Sequence, residues 1–351
     1  PAPPDLRTSA LMSPSVEILQ QLDLVSDPDE IGEPLTKIRL IDATSRLLRA
    51  PEALFESSEA GVAAFGWNFA NMRLAQNMLP LIKKYKNLKQ IPLSASKMKK
   101  DAHNWEITLS DGSKLQAPLI IGADGKKSFV RQNSNIAIKQ QNHTQSALVC
   151  DLMLERELEG ESVEYHYENG PFTLVPAGGK KANLVWVDDG ASLEKIAKLP
   201  ASEIQEILQK KSQNLFGRLS LETRAFVFPL SSHHASEMGK DGVVLVGESG
   251  HAFPPIGAQG LNLSLRDVAQ LVELIDDIDV TNPDWASNLS SEYSSKRQAD
   301  IIRTNRMVDT LFKTLLSDYL PAQMLRMGGM WALKSIAPLR KRAFEMGMGP
   351  R

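Results

Sequence analysis

The chain has 351 residues, of which 42% are hydrophobic and 23% charged, a composition typical of a globular protein rather than a disordered or fibrous one. Its 40 lysine and arginine residues nearly balance 42 acidic residues, and the net charge of −2 gives no bulk electrostatic case for nucleic acid as a partner. The single cysteine, Cys150, excludes an intrachain disulfide and any cysteine-based metal site, and we predict no metal.

The first third of the chain predicts a mixture of helices and short strands. Ser13, followed by proline, is typical of a helix N-cap, and the apolar spacing continues a helix to about residue 22. Short apolar stretches within residues 35–66 predict strands around a loop rich in Glu and Ser at 52–60. From Asn71 onward, apolar residues recur at three- and four-residue spacing and predict a second helix.

A hairpin and a buried strand come next. Alternating apolar residues over 105–109 predict a strand that leads into Asp111-Gly112, a strong hairpin signal. The return strand ends in the apolar run 119–121 and continues into a glycine turn at 122–125.

The middle of the chain predicts an antiparallel sheet. One helix is expected near 201–213, and no strand–helix–strand spacing occurs. The predicted strands are 147–154, 163–167, 172–176, 184–187 and 223–230.

A parallel-sheet pattern returns in the last third. Residues 243–246 predict a buried strand, and a glycine-rich segment then opens a helix at about residue 261. Residues 286–346 are expected to be helical. Segments that predict a parallel sheet and segments that predict an antiparallel sheet are interleaved along the chain. We therefore predict two domains built from discontinuous segments.

The glycine-rich segment 247–262 carries the clearest chemical signal. A buried strand delivers the chain to closely spaced glycines, which let a backbone approach a ligand, and a helix N-terminus comes after them. Main-chain N–H groups there can hold negative charge, either of a phosphate or of a reduced flavin. Taken alone, the pattern also fits a purely structural turn.

Residues 247–262 closely resemble the second flavin motif of the FAD-dependent aromatic hydroxylases, the para-hydroxybenzoate hydroxylase superfamily. That motif has Gly-Asp, two small residues, His, and then Pro-x-Gly-x-Gly-x-Asn. Residues 122–131 resemble the Asp-Gly motif of the same superfamily, including its Ser-x-Val-Arg ending. Further stretches resemble the ubiquinone-biosynthesis hydroxylase branch: 170–176, 184–186, 260–268, Tyr293-x-x-x-Arg297 and Met346-Gly347.

The resemblance implies an α/β fold: a Rossmann-like FAD-binding domain, here without its first βαβ unit, an inserted antiparallel β-sheet substrate domain and a helical C-terminus. The implied FAD-binding domain comprises residues 1–34, 68–140 and 236–285. The substrate-binding sheet comprises 35–67 and 141–235, and the C-terminal helices comprise 286–351.

The resemblance also implies the cofactor site. Asp124 would touch the ribose or pyrophosphate of FAD, Gly125 would allow the close turn, and Glu248 replaces the usual Asp that binds the ribityl chain. Arg7 and Asn71 fall where the family also contacts FAD. Six residues would line the isoalloxazine ring with backbone groups: Pro255, Gly257, Gln259, Gly260, Leu261 and Asn262.

The departure from the family pattern lies at the N-terminus. No Gly-x-Gly-x-x-Gly occurs in the chain, and residues 1–7 resemble the segment that comes after the family's opening βαβ unit. That unit would add roughly 30 residues or more. Without it, we expect residues 1–351 alone not to hold FAD, because half of the cofactor normally lies on that glycine loop.

The function implied by the resemblance is hydroxylation of a polyprenylated phenol in ubiquinone biosynthesis, with FAD as cofactor and NAD(P)H and O₂ as co-substrates. In this family, reduced flavin and O₂ form a C4a-hydroperoxyflavin, whose distal oxygen the phenol attacks. Because the chemistry belongs to the flavin, no side chain is assigned as a catalytic acid or base. The alternative is an FAD-free, non-catalytic scaffold component of a ubiquinone-biosynthesis complex, so other proteins of that pathway are candidate partners.

Several other residues invite a chemical interpretation. His251 is predicted to be structural, packed behind the glycine turn, rather than a general base. The adjacent His233 and His234 are predicted to lie in a surface loop rather than to bind a metal. Cys150, within a predicted strand, is expected to act as a small buried hydrophobe.

Residues 320–342 combine methionine, leucine and tryptophan with Lys334, Arg340, Lys341 and Arg342. They predict either a core helix or a helix lying on an anionic membrane surface, and the lipid tail of the implied substrate favours the second. No signal-peptide pattern and no apolar run of about 18 residues occurs. We therefore expect a cytoplasmic protein with peripheral contact to the inner face of the membrane.

Overall fold

The computed structural model describes residues 7–46, 49–255 and 257–316, and beyond these 328–329, 331–333, 335–336 and 338–342. The chain divides into two compact units. The first unit contains Pro1–Ile82, His143–Leu230 and Thr310–Arg351, and the second contains Lys83–Asn142 and Ser231–Asp309. This division reflects contacts rather than function, so the predicted domain boundaries stay a prediction.

The described elements are mostly strands, with helices between groups of them. The strands are β1 (Thr8–Met12), β2 (Gly32–Leu35), β3 (Lys37–Asp42), β4 (Ala53–Glu56), β5 (Gly66–Ala70), β6 (Ala95–Asp101), β7 (Asn104–Leu109), β8 (Lys114–Ala117), β9 (Ile120–Gly122), β10 (Ile138–Leu154), β11 (Glu161–Tyr167), β12 (Gly170–Pro176), β13 (Lys181–Asp189), β14 (Leu219–Leu221), β15 (Phe226–Ala235), β16 (Gly239–Lys240), β17 (Val243–Leu245) and β18 (His251–Ala252). The helices are α1 (Ser13–Gln21), α2 (Pro28–Ile31), α3 (Asn71–Ile82), α4 (Phe129–Asn133), α5 (Gly190–Ile196), α6 (Ala201–Lys211), α7 (Gln259–Asp276) and α8 (Trp285–Leu316).

The first unit holds two sheets. A small antiparallel sheet has the order β1-β5-β2, and a larger one includes the order β10-β13-β12-β11-β3-β4, with β14 also paired to β10. Tyr165, Phe172 and Trp186 are fully buried in the larger sheet, with ring centroids 5.8 and 6.0 Å apart. Leu193 of α5 and Leu208 of α6 pack against the same core. This apolar face is what the period-two alternation of the strands produces.

The second unit is built around a parallel strand pair. Strand β17 pairs in parallel with β9 and antiparallel with β16, while β6, β7 and β8 form a separate antiparallel sheet. Val243, Val244 and Leu245 are all fully buried, as expected for an apolar strand covered on both faces. The hydroxyl of Tyr293 in α8 donates to the carbonyl of Leu245 at 2.9 Å and fixes the helix to this strand.

The α/β fold class is confirmed, as are α1, α3, α6, α7 and the hairpin of β7 and β8. Cys150 is buried, as predicted, and burial raises the pKa of its thiol to about 12. The predicted helical region 286–346 is described as α8 and short helical stretches within 328–342, and the rest lies outside the described residues.

Three expectations about local structure were wrong. The predicted loop at 52–60 contains β4 and a 3₁₀ turn, because Ala53 and Phe55 alternate into a buried cluster. The middle sheet is not wholly antiparallel, since β11 pairs in parallel with β3. Ser13 is the first residue of α1 rather than its cap, and its hydroxyl donates to the carbonyl of Ala64 at 2.6 Å.

Helix α5 was not predicted at all. It begins after Asp189, whose carboxylate accepts from the backbone N–H of Ser192 at 2.9 Å. Among the described helices, none is both long enough and apolar enough to cross a membrane.

Candidate flavin site

The turn after β9 presents the Asp-Gly motif. Asp124 is exposed, and its Oδ2 accepts from the backbone N–H of Val130 at 3.0 Å. Gly125 has φ = +77°, a left-handed conformation that favours glycine. Ser128 caps the short helix α4, since its hydroxyl oxygen accepts from the N–H of Arg131 at 2.9 Å. The motif therefore holds its carboxylate in place at the carboxyl end of β9.

The second motif begins at the neighbouring strand end. Because β17 runs parallel to β9, with Leu245 opposite Gly122, both strands deliver their glycine turns to one edge of the sheet. The N–H of Val246 donates to the carbonyl of Gly122 at 2.9 Å, and the hydroxyl of Ser249 donates to the same carbonyl. The structure thus joins the two motifs that the sequence separates by more than 100 residues.

The side chain of Arg131 forms hydrogen bonds to both turns. Its Nη1 donates to the carbonyl of Ser249 at 2.6 Å and its Nη2 donates to the carbonyl of Lys126 at 3.0 Å. The residue is almost fully buried, and that burial lowers the pKa of its guanidinium while the nearby Asp124 carboxylate opposes the shift. Sequence reasoning found Arg131 only as the end of a motif, and its bridging role depends on tertiary contact.

Asp267 of α7 anchors the glycine turn from within the core. Its carboxylate, 0% exposed, accepts from the backbone N–H of Gly247 at 2.9 Å and from Nε of Arg297 at 2.8 Å. Nε2 of His251 lies 2.7 Å from the same carboxylate. His251 is therefore buried behind the turn as predicted, and Asp267 connects the turn, the histidine and α8.

The charge of Asp267 belongs to a wider network. Arg297 also contacts Asp300 at 2.8 Å, and Asp300 contacts Arg266 at 2.9 Å. Burial opposes the charge on Arg297, but Asp267 and Asp300 outweigh it and raise the pKa of the guanidinium. Burial also favours neutral Asp300, but Arg266 and Arg297 outweigh it and lower the pKa of that carboxyl. Arg303 also contacts Asp300 at 3.1 Å, so three arginines surround the two aspartates of this network.

The prediction that His233 and His234 lie in a surface loop was wrong. Both belong to β15, which pairs with β18 so that His233 lies opposite Ala252. His233 is 2% exposed, and its Nε2 lies 2.9 Å from the carbonyl of Glu248. Burial lowers the pKa of His233, with smaller contributions from nearby positive groups. A polar Ser-Ser-His-His sequence gives no signal of such burial.

The last part of the motif forms the N-terminal turn of α7. The side-chain amide of Gln259 donates to the carbonyl of Gly257 at 2.9 Å, and that of Asn262 donates to the carbonyl of Ala258 at 2.6 Å. These two side chains are buried and fix the turn, whereas Pro255, Gly257, Gly260 and Leu261 are exposed. The first N–H groups of a helix have no acceptor within the helix, so this surface can receive an anionic or carbonyl-bearing group.

Two glycines test whether the surface has room for a cofactor. A Cβ at Gly260 would meet nothing within 4 Å, and its backbone has no positive φ. By contrast, a Cβ at Gly239 would lie 2.2 Å from the carbonyl oxygen of Ser290. Packing therefore requires glycine at 239 but not at 260. The open backbone at Gly260 fits a planar group that approaches the helix start closely.

Arg7 and Asn71 lie together in the first unit. The N–H of Asn71 donates to the carbonyl of Arg7 at 3.1 Å, and the hydroxyl of Ser9 donates to Oδ1 of Asn71 at 2.7 Å. They are brought together because β1 and β5 are antiparallel, with Thr8 opposite Ala70. The remaining predicted site residues all lie in the second unit.

Residues 97–305 match the model of the FAD binding domain family, which covers more than half of the chain. The chain belongs to this family, its cofactor is FAD, and its recognition as an FAD-dependent aromatic hydroxylase is confirmed. It is 27% identical to ubiquinone hydroxylase UbiL of Rhodospirillum rubrum, over 98% of this chain and 80% of that protein. It is 24% identical to 3-demethoxyubiquinol 3-hydroxylase of Escherichia coli, over 99% of this chain and 88% of that protein.

A solved structure shares the fold. The crystal structure of p-nitrophenol 4-monooxygenase PnpA from Pseudomonas putida DLL-E4 superposes with a TM-score of 0.77 at 17% identity. That match covers 100% of this chain and 90% of PnpA. This chain therefore shares the fold of PnpA.

Proposed function

We propose that the protein is a flavin-dependent monooxygenase that hydroxylates the ring of a polyprenylated phenol in ubiquinone biosynthesis. The observation that carries the proposal is the junction of the two flavin motifs at the carboxyl edge of β9 and β17. Support for the pathway comes from the two ubiquinone-related hydroxylases, whose similarity extends over nearly the whole chain.

We assign the cofactor-binding role to the residues around that junction. Asp124 and Gly125 would receive the ribose or pyrophosphate region, and Glu248 would reach the ribityl chain with one more methylene than aspartate. The ring would lie against the backbone of Pro255, Gly257, Gln259, Gly260, Leu261 and Asn262. For Arg7 and Asn71 of the first unit, contact with FAD stays a prediction of the resemblance.

When bound, FAD would supply the redox chemistry that reduces O₂ with electrons from NAD(P)H and transfers one oxygen atom to the phenol ring. The chain itself binds and orients. The N-terminal end of α7 favours negative charge on a bound group, because the helix dipole places partial positive charge there. Asp267 and Arg131 hold the two turns at fixed positions, which a preorganised site requires.

We further propose that the sheet of the first unit receives the phenol and that the protein contacts the membrane in which the polyprenyl tail lies. The C-terminal stretch 320–342 was expected to make that contact. Its methionines 324, 327 and 330 and Lys334 lie outside the described residues. Leu333 packs against a buried cluster that includes Phe55, and Arg340 contacts Glu59 at 2.7 Å, whereas Trp331 is exposed.

The decisive experiment is to express the protein from its full-length gene, purify it, record its visible spectrum and assay NAD(P)H- and O₂-dependent hydroxylation of a short-tailed phenol. We expect a yellow protein whose activity rises with its flavin content. A protein that binds no flavin under any loading condition would instead support the FAD-free scaffold. A flavin-loaded protein that reduces O₂ without forming hydroxylated phenol would contradict the proposed substrate class.

A further inference from the structure

The strongest charge asymmetry of the chain lies in residues 83–100, here called the lysine segment. It contains seven of the 40 basic residues and no acidic residue. The acid-free stretch is longer still, since no Asp or Glu occurs between Glu59 and Asp101. In a chain with a net charge of −2, such local enrichment is not a consequence of overall composition.

The structure leaves this segment exposed. Residues 83–90 come after α3 and are exposed almost throughout, and the next strand, β6, buries little. Lys100 donates to the carbonyl of Asp241 at 2.7 Å. Within the described part of the chain, the remaining lysines of the segment form no ion pair: Lys83, Lys84, Lys86, Lys89, Lys97 and Lys99.

Apolar side chains lie among these lysines. Tyr85 is 53% exposed, Leu88 is 52% exposed and Leu93 is 40% exposed. A turn in which the N–H of Leu88 donates to the carbonyl of Tyr85 at 3.1 Å brings these two residues close together. Solvated lysine runs are common, but one that also exposes an aromatic and two leucines presents two kinds of surface at once.

We propose that the lysine segment docks on an anionic phospholipid surface, with its ammonium groups at the phosphates and Tyr85 and Leu88 entering the headgroup layer. Charge complementarity supplies long-range attraction, and the exposed apolar side chains supply the short-range contribution. A nucleic acid or an acidic protein would satisfy the charges, but neither has a hydrocarbon boundary that would take both apolar side chains. The inference rests on the proposed function, because a substrate with a polyprenyl tail stays in the bilayer.

Co-sedimentation with phosphatidylcholine vesicles, with and without phosphatidylglycerol, tests the docking. We expect the protein to pellet with the anionic vesicles only, and less as salt rises. The variant K84E/K86E/K89E should weaken binding at least about a hundred-fold, since each lysine near an anionic surface contributes measurably. The control K195E/K198E/K210E changes the net charge equally at lysines elsewhere on the surface and should bind like the unaltered protein.

A second variant separates lipid from other anionic partners. Y85S/L88S keeps every lysine, and we expect it to weaken vesicle binding about ten-fold or more while binding to heparin is unchanged. Equal vesicle binding by Y85S/L88S would overturn the proposal in favour of a purely electrostatic partner. Equal losses in the two triple variants would overturn it as well, because the effect would then depend on net charge alone.

Hydroxylation of a short-tailed phenol in the absence of vesicles distinguishes failure of docking from failure of the proposed function. The variant K84E/K86E/K89E should retain its flavin and its hydroxylation activity, because none of these lysines belongs to the proposed cofactor site. Loss of activity in the unaltered protein would contradict the proposed function without changing the vesicle result. Vesicle binding unaffected by either lysine-segment variant would contradict the docking while the enzyme remained active.

Discussion

Both units have a buried apolar core, and they differ in the charged groups that lie beside it. The larger sheet of the first unit buries an apolar core in which Tyr165, Phe172 and Trp186 are in contact. The second unit also has an apolar strand, β17, but places the ionic pairs of Asp267 and Arg297 immediately beside it. An apolar core tolerates substitutions that conserve volume, whereas removing one partner of a buried ion pair is strongly destabilising.

The difference matches the position of the flavin motifs. The buried charges of the second unit contact the glycine turn through Gly247 and His251, so they determine where a ligand-binding backbone lies. The aromatic core of the first unit is built from apolar side chains instead. The comparison predicts that mutations in this buried charge network, made in the protein expressed from its full-length gene, affect folding and flavin retention together.

The largest effect is expected for Asp267→Ala. It leaves the buried Arg297 with only Asp300 as a partner and removes the acceptor of the Gly247 N–H. We expect the free energy of unfolding to fall by about 3–5 kcal/mol, as when one partner of a buried pair is removed, and flavin to be lost. Urea unfolding and the flavin-to-protein absorbance ratio measure the two effects.

Asp276→Ala is the matched control for that variant, because Asp276 lies in the same helix α7 and is exposed. It should change stability by less than about 0.5 kcal/mol, the usual size for a surface substitution. If Asp267→Ala were as stable as this control, the network would contribute nothing to the fold.

Leu174→Ala should produce a loss of about 2–4 kcal/mol through cavity formation in the first unit, because Leu174 is fully buried in its core. Unlike the Asp267 variant, the folded fraction should keep its flavin. Leu54→Ala, at an exposed position of β4, is the control. Flavin loss in the folded fraction of Leu174→Ala would contradict the separation between core and motif.

The features of the second unit differ in how well the sequence predicts them. Strand β17 and its glycine turn were predictable, because an apolar run next to glycine is a local signal. The network around Asp267 was not, since its members are spread from Gly247 to Asp300 without a period. The burial of His233 escaped prediction for the same reason, because it depends on the pairing of β15 with β18.

His233 gives a smaller effect that depends on pH. Its pKa is lowered from the usual 6.5 by burial, with Arg131, Lys126 and His251 adding positive charge nearby. The unfolded chain therefore binds the proton first, so stability falls as pH drops below about 6.5 and stops falling below the folded pKa. His233→Gln should flatten this fall in the free energy of unfolding between neutral pH and pH 5.

His234→Gln is the control for this measurement, because the pKa of His234 is also lowered by burial, but only Lys139 adds to the effect. Urea midpoints across the pH series compare the two variants. An unchanged pH profile in His233→Gln would mean that His233 does not titrate differently in the folded and unfolded states.

The smallest effect on folding, and the most informative one for the site, is expected for Gly260→Val made in the protein expressed from its full-length gene. A Cβ at 260 meets no neighbour within 4 Å, and valine is a better helix former than glycine, so stability should change by less than about 0.5 kcal/mol. The new side chain would nevertheless occupy the open surface at the start of α7. We expect flavin retention to be abolished in a folded protein, while Gly329→Val, at another helical glycine without a close neighbour, retains it. Normal flavin content in Gly260→Val would remove this turn from the cofactor site, and the junction of β9 and β17 alone would have to hold the flavin.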